Sequence, residues 1–199
     1  MEEVRRAYGA IAAQYIELFG NRAQVDADDL ALIARHLAKP GAVLDVGCGP
    51  GHLTAYLQSL GADAVGLDLV PELVDHARIA HPEGRYELAS MDRLPVRDGS
   101  LAGILAWYSL IHLPPDRVDA VLDELRRAMA PDGALVAGFF DGAAVEAFAH
   151  KVVTAHFWPI DEMAARLERA GFTVVERQQR ASAGEAGPRA HAALAAIAH

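Results

Sequence analysis

The sequence contains one cysteine, Cys48, in 199 residues, so it has no intramolecular disulfide framework and no cysteine-built zinc site. Basic charge is also in short supply. Lys and Arg number 18 against 27 Asp and Glu, a formal net charge of −9, and no basic stripe exists to neutralise phosphates, which argues against a nucleic-acid partner. No apolar run approaches the roughly 20 residues that span a bilayer, and Met1–Arg6 carries both signs of charge with no apolar segment behind it. The expectation is a cytoplasmic protein without a membrane partner. Internal repeats are missing, and low complexity is limited to a general richness in alanine. No His-x-x-x-His helix or paired carboxylate accompanies His150 and His156, so the expected chemistry is metal-independent. A Tyr-x-x-x-Lys pair is also absent, which disfavours one common type of oxidoreductase.

What is present is alternation. Residues 2–38 read as helical throughout, with Leu30, Ile33, Ala34 and Leu37 on one face and a stop at Lys39-Pro40-Gly41. Ala42–Val46 reads as a buried strand, Leu53–Leu60 as a helix closed by Gly61, Ala64–Leu67 as a second strand, and Pro71 opens the next helix. Arg85–Ala89 and Leu101–Ala106 suit further strands. Val118–Met129 traces an amphipathic helix ended by Pro131-Asp132-Gly133, and Ala134–Phe140 suits a fifth strand. An irregular stretch, Asp141–Pro159, precedes a helix from about Asp161 to Gly171. Phe172–Arg177 and His191–Ala198 supply two last strands, joined across Ser182–Pro188. Strand alternating with helix predicts a doubly wound, Rossmann-like α/β fold: a seven-stranded, mostly parallel sheet covered on both faces, its last strand antiparallel. The length suits one domain. Within it, 1–38 form N-terminal helices or a lid, 42–140 a binding core, 141–160 a pocket insertion, and 161–199 the last helix and strands.

The most informative segment is Val43-Leu44-Asp45-Val46-Gly47-Cys48-Gly49-Pro50-Gly51-His52, which joins a predicted strand to a predicted helix. Glycines let the backbone turn tightly and let a ligand lie directly against it, next to the free N–H groups of a helix start. The spacing is G-x-G-x-G, and His52 stands where a dinucleotide fingerprint requires its third glycine, which counts against NAD. Asp68 follows Gly47 by 21 positions, at the carboxyl end of the second strand. An acid there can accept hydrogen bonds from both ribose hydroxyls and repels a phosphate. It can equally cap the helix that starts at Pro71; strand, turn and acid in register favour a nucleoside ligand.

Leu44-Asp45-Val46-Gly47-Cys48-Gly49-Pro50-Gly51, followed by Gly66-Leu67-Asp68 and Leu94-Pro95, resembles the class I S-adenosylmethionine-dependent methyltransferases, nearest to the small ubiquinone/menaquinone-biosynthesis branch, over about residues 8–198. The resemblance implies S-adenosylmethionine as cofactor and S-adenosylhomocysteine as product. Gly47, Cys48 and Gly49 would cradle the methionine part, with Asp45 assisting through water or backbone amides. Asp68 would hold the ribose, Leu69 and Met91 would pack on the adenine, and Ser90 or Asp92 would lie near its amine. Two departures stand out. The family's Gly-Asp before the adenine contact is replaced at Ser90, with Asp92 two positions on, and its usual Phe-Asp at the fourth strand is Leu101-Ala102.

Methyl transfer from a sulfonium is an in-line displacement that needs no acid on the leaving group, and needs a base only when the nucleophile arrives protonated. The acceptor should meet the cofactor at the carboxyl end of the fourth strand, where Trp107, Tyr108 and His112 lie. His112 is the candidate base, since a histidine is largely neutral above about pH 6.5; packing beneath the next helix is the alternative. His150, His156 and Trp158 in the stretch after the fifth strand are candidates for the wall of a small-molecule acceptor pocket. Tyr8 and Tyr15 are candidates for the inner face of a lid, Tyr8 toward the acceptor and Tyr15 toward the cofactor. Other readings are an NAD- or nucleotide-dependent oxidoreductase and a cofactor-binding protein without catalysis.

Overall fold

The computed structural model describes residues 1–182, 184 and 188–199, so part of the predicted Ser182–Pro188 connection (Ala183 and Glu185 to Gly187) lies outside the described residues. Seven strands form the main sheet: β1 (Ala42–Val46), β2 (Asp63–Asp68), β3 (Arg85–Leu88), β4 (Leu101–Trp107), β5 (Met129–Phe140), β8 (Phe172–Arg180) and β9 (His191–Ala198). Their spatial order is β3-β2-β1-β4-β5-β9-β8. The first five are parallel to one another, and β9 lies antiparallel between β5 and β8. This is the expected doubly wound sheet with its last strand reversed.

Each parallel strand is nearly continuously apolar because it is covered on both faces. On one face α3 (Ala27–Leu37) and α4 (His52–Ser59) bury Leu32, Ile33, Leu37, Leu53 and Leu57 against Val43, Leu105 and Val136. On the other, α6 (Pro115–Ala128) and α7 (Ile160–Arg169) bury Val118, Leu122, Leu125, Met163 and Leu167 against Leu44, Ile104, Leu135 and Leu194. The α5 helix (Pro71–Ala80) packs along β2 and β3. The strand order reverses between β1 and β4, and the carboxyl ends of these two strands therefore diverge into a crevice. Among the described residues no helix is long and apolar enough to cross a membrane.

Three local expectations are corrected. Residues 2–38 do not form continuous helix: α1 (Glu2–Ala10) and α2 (Ala12–Phe19) are broken at Ile11, and a 3-10 turn at Arg22–Gln24 precedes α3, whose start is capped by the Asp26 side chain accepting from the Asp28 N–H. The α6 helix ends at Ala128, ahead of Pro131-Asp132-Gly133. Those three residues instead form a bulge within β5, where Met129 pairs with Leu101 and Ala134 with Gly103, and Asp132 takes φ +63°. The stretch expected to be irregular contains a short antiparallel pair, β6 (Glu146–Phe148) and β7 (Ala155–Phe157).

Five of the eight residues of β9 are alanine, and Ala193 and Ala195 face α3 with no exposure to solvent. A small side chain is what lets that helix approach. Ala195→Leu should therefore overpack the layer and destabilise the fold by roughly 1–3 kcal/mol, read as a lowered midpoint in thermal unfolding, whereas Ala181→Leu on the exposed connection should leave the midpoint unchanged.

Candidate active site

The crevice holds a cleft walled by the turn after β1 (Gly47, Gly49), the end of β2 (Asp68, Leu69, Val70), Leu73 of α5, Met91, the segment after β4 (Trp107, Tyr108, Ser109, His112, Leu113), and Met1, Val4, Tyr8 and Tyr15 from the N-terminal helices. Two glycines are dictated by position. Gly47 has φ +76° and a Cβ there would stand 2.5 Å from the Ser109 Cβ, so the turn and the end of β4 touch through its missing side chain. Gly49 has φ +53°, and its missing Cβ opens onto the cleft, with the Tyr15 ring 3.7 Å away.

Asp68 is the one carboxylate in that wall. Its Oδ2 accepts the Gly49 N–H at 2.8 Å and its Oδ1 the Val70 N–H at 2.9 Å. Burial pushes its pKa up, against the pull of these backbone bonds. The helix-entry role and the ligand-facing role are thus compatible: each oxygen retains acceptor capacity. Leu69, Met91 and Val70 provide apolar surface beside it. Tyr15 is pushed up to about 12 by burial and by the nearby Asp68 charge.

His112 sits on a 3-10 turn (Leu110–His112) directly after β4. Its Nδ1 lies 2.9 Å from the Thr154 carbonyl and its Nε2 2.8 Å from the Tyr8 hydroxyl. A carbonyl can only accept, so Nδ1 carries the proton, Nε2 is bare, and Tyr8 donates to it. Burial lowers the pKa of His112, which keeps the ring neutral. His150 packs edge-on against His112 with centroids 5.3 Å apart, and is itself lowered to about 4 by burial first and then by the neighbouring His112 and cations.

The expected site residues divide accordingly. Tyr8, Tyr15, Gly47, Gly49, Asp68, Leu69, Met91, Trp107, Tyr108 and His112 line one cleft, and His150 stands behind His112. Others do not reach it. The Asp45 carboxyl is buried beneath the turn, accepts the Thr54 hydroxyl at 2.6 Å, and is raised to about 7 by burial. The Cys48 side chain turns away into an apolar cluster with Val74, Ala77 and Tyr86. Ser90 donates to Asp92, which lies near Arg117 outside the cleft wall, so the expected contact to an adenine amine does not face the cleft here. His156 is held by the Ile111 carbonyl at 3.3 Å. Trp158 is no pocket wall at all: it is fully buried, with the Arg166 guanidinium 5.0 Å from its ring. Sequence reasoning left Ser109 unassigned, although it lies two positions beyond β4; its Oγ is buried in the cleft wall without a partner among the described residues.

A glycine turn at a topological switch point, followed by an acid at the end of the second strand, is the arrangement with which doubly wound α/β domains bind nucleosides. Residues 43–133 match the family model described as a methyltransferase domain. The matches support a class I S-adenosylmethionine-dependent methyltransferase. Among its relatives is a malonyl-[acyl-carrier protein] O-methyltransferase of Salmonella typhimurium, 34% identical over 135 residues, covering 66% of this chain and 51% of that one. An uncharacterized methyltransferase of Synechocystis is 28% identical over 144 residues, 68% of each chain. The chain spans about half the length of the malonyl-[acyl-carrier protein] relatives it matches. A 1,6-didemethyltoxoflavin-N1-methyltransferase of Burkholderia thailandensis, solved with S-adenosylhomocysteine, shares the fold at TM-score 0.82 and 23% identity, covering 99% of this chain and 88% of that one. None of these points specifically to the ubiquinone/menaquinone branch.

The cleft's free volume is about 60 Å³, far below the roughly 300 Å³ of a small-molecule site. The residues nonetheless fit the cofactor: an acceptor carboxylate, a backbone open at Gly49, an apolar shelf and an orphaned hydroxyl at Ser109. Trp158→Ala should behave as a core truncation, costing about 3–5 kcal/mol in chemical denaturation. A loss of turnover with unchanged stability would return Trp158 to the pocket.

Proposed function

We propose that this chain transfers a methyl group from S-adenosylmethionine to an oxygen, nitrogen or carbon atom of a small molecule. One observation carries the reading: Asp68, exposed to the cleft between Gly49 and Leu69, faces the same space as the bare Nε2 of His112. The cofactor, when bound, supplies a methyl group activated on a positively charged sulfur. Asp68 accepts the ribose hydroxyls, the Gly49 backbone lies against the methionine portion, and Leu69 and Met91 cover the adenine. The proteins named above act on malonyl-[acyl-carrier protein] and on 1,6-didemethyltoxoflavin, and the second supports a small-molecule acceptor for this chain too.

His112 then serves as the base. Its Nδ1–H stays bonded to the Thr154 carbonyl, which steadies both the neutral ring and the imidazolium formed after proton uptake. The acceptor's hydroxyl or ammonium takes the place of the Tyr8 hydroxyl at Nε2, so α1 has to withdraw as the acceptor enters. Proximity and exclusion of water supply the rest of the rate.

Calorimetry with S-adenosylhomocysteine tests the cofactor assignment. Asp68→Asn keeps the shape but gives up a charged acceptor, worth about 1.5–3 kcal/mol, and affinity should fall about 10- to 100-fold. Unchanged affinity refutes the ribose role, and tight binding of NAD refutes S-adenosylmethionine as the cofactor. Incubation with methyl-labelled cofactor and a metabolite extract, read by mass spectrometry, identifies the acceptor. With that acceptor, His112→Ala should lower turnover by ~10²- to 10⁴-fold and leave cofactor affinity nearly unchanged. Because burial lowers the His112 pKa and the neutral ring is the active form, wild-type turnover should rise with pH through a midpoint below about 6.5 and level off above it. A wild-type pH profile retained in His112→Ala would make the residue structural.

A further inference from the structure

Behind the cleft wall runs a chain of polar groups that methyl transfer does not use. The Tyr108 hydroxyl lies 2.5 Å from His191 Nδ1, and His191 Nε2 lies 3.2 Å from Asp29 Oδ1, within ion-pair reach but out of line for a hydrogen bond. The Arg180 guanidinium donates to both Asp29 oxygens, at 2.7 and 2.6 Å. Asp29 and His191 are each 3% exposed. The four residues come from α3, the segment after β4, the end of β8 and the start of β9.

The chain of bonds has a direction. Burial opposes ionisation of Asp29, but the neighbouring His191 and Arg180 outweigh it and hold the carboxyl below its ordinary value. A carboxylate 3.2 Å away repels a bare nitrogen lone pair and so favours the His191 proton on Nε2; Nδ1 is then bare, and the Tyr108 hydroxyl donates to it. Tyr108 needs such a hold. Its φ of +54° is the left-handed conformation, which an aromatic side chain rarely adopts and which persists only where the surroundings over-determine it. Its neighbours on either side, Trp107 and Ser109, both line the cleft, and Ser109 is the residue that packs against the absent side chain of Gly47.

We infer that Asp29 and His191 are positioning residues: through the Tyr108 hydroxyl they fix the turn after β4, and thereby set Trp107 and the unpartnered Ser109 hydroxyl against the glycine turn in the geometry that receives the cofactor. This rests on the cofactor reading above. The competing reading is a mere tie between α3 and the β8–β9 pair. The structure contains a control for that. Glu176 of β8 accepts from Arg35 of α3 at 2.7 Å and lies 2.7 Å from His36, linking the same elements without touching Tyr108.

The test measures S-adenosylhomocysteine affinity and thermal midpoint together in Tyr108→Phe, Asp29→Asn, the double variant and Arg35→Ala. Tyr108→Phe and Asp29→Asn should each weaken binding about tenfold, and the double variant should be no weaker than the weaker single one, because both cut the same chain. Arg35→Ala should lower the midpoint without changing affinity. Unchanged affinity in Tyr108→Phe and Asp29→Asn, additive losses, or an equal loss in Arg35→Ala overturns the proposal. If the wild type does not bind S-adenosylhomocysteine at all, the cofactor reading fails, and the ¹⁵N shifts of His191 judge the clamp on their own. Protonation at Nε2 alone, lost as a fixed tautomer in Tyr108→Phe, supports it; protonation at Nδ1 overturns it.

Discussion

The site depends on a single buried carboxylate. Asp68 ends β2 at 7% exposure and ties two separate pieces of backbone together, the turn after β1 through the Gly49 N–H and the approach to α5 through the Val70 N–H. An anion in that position is costly unless donors surround it. Here the donors are main-chain groups, which cannot swing away as a lysine could, so satisfying the charge also fixes the shape of the turn. The Gly47 and Cys48 N–H groups both bond to the Leu67 carbonyl, one residue earlier, and lock the same junction from below. With the ends of β1 and β2 fixed in this way, the crevice beside β4 has one rigid wall.

The opposite wall is different in kind. No residue of α1 is fully buried, and the helix is held over the cleft mainly by aromatic contacts, Tyr8 with Tyr15 at 5.0 Å and with His112 at 5.4 Å, and by the Tyr8–His112 hydrogen bond. Elements with few buried contacts open at low cost. Four of the residues that line the cleft, Met1, Val4, Tyr8 and Tyr15, come from this N-terminal cover.

Legibility from sequence followed burial. The strands of the sheet were readable to within a residue or two at most of their ends because parallel strands buried on both faces are short apolar runs between glycines and prolines. The glycine turn and Asp68 were readable because only a few residue types satisfy that geometry. Periodicity fails at single-residue breaks such as Ile11, at the Pro131–Gly133 bulge, and at the three-residue strands of the β6–β7 pair, all shorter than a period. Side-chain direction was the other gap. Asp45 and Cys48 flank the cleft in sequence, yet strand alternation and the turn point them downward, to Thr54 and to Tyr86. Trp158, placed in a loop by its surroundings in sequence, is drawn into the core by α7 and β5. The Tyr108–His191–Asp29 chain joins residues 83 and 162 positions apart and leaves no local trace.

The insertion of β9 between β5 and β8 has a bearing on how the polypeptide is made. In space β8 is the outermost strand, bonded only to β9, while in sequence it is synthesised first. A nascent chain that has emerged only through β8 presents two unsatisfied strand edges, that of β5 and that of β8, with a gap one strand wide between them. Such edges are templates for pairing with the wrong chain. That gap can be filled only once the alanine-rich segment has left the ribosome. His191, at the head of that strand, arrives in the same event, so completion of the sheet and engagement of Tyr108 coincide.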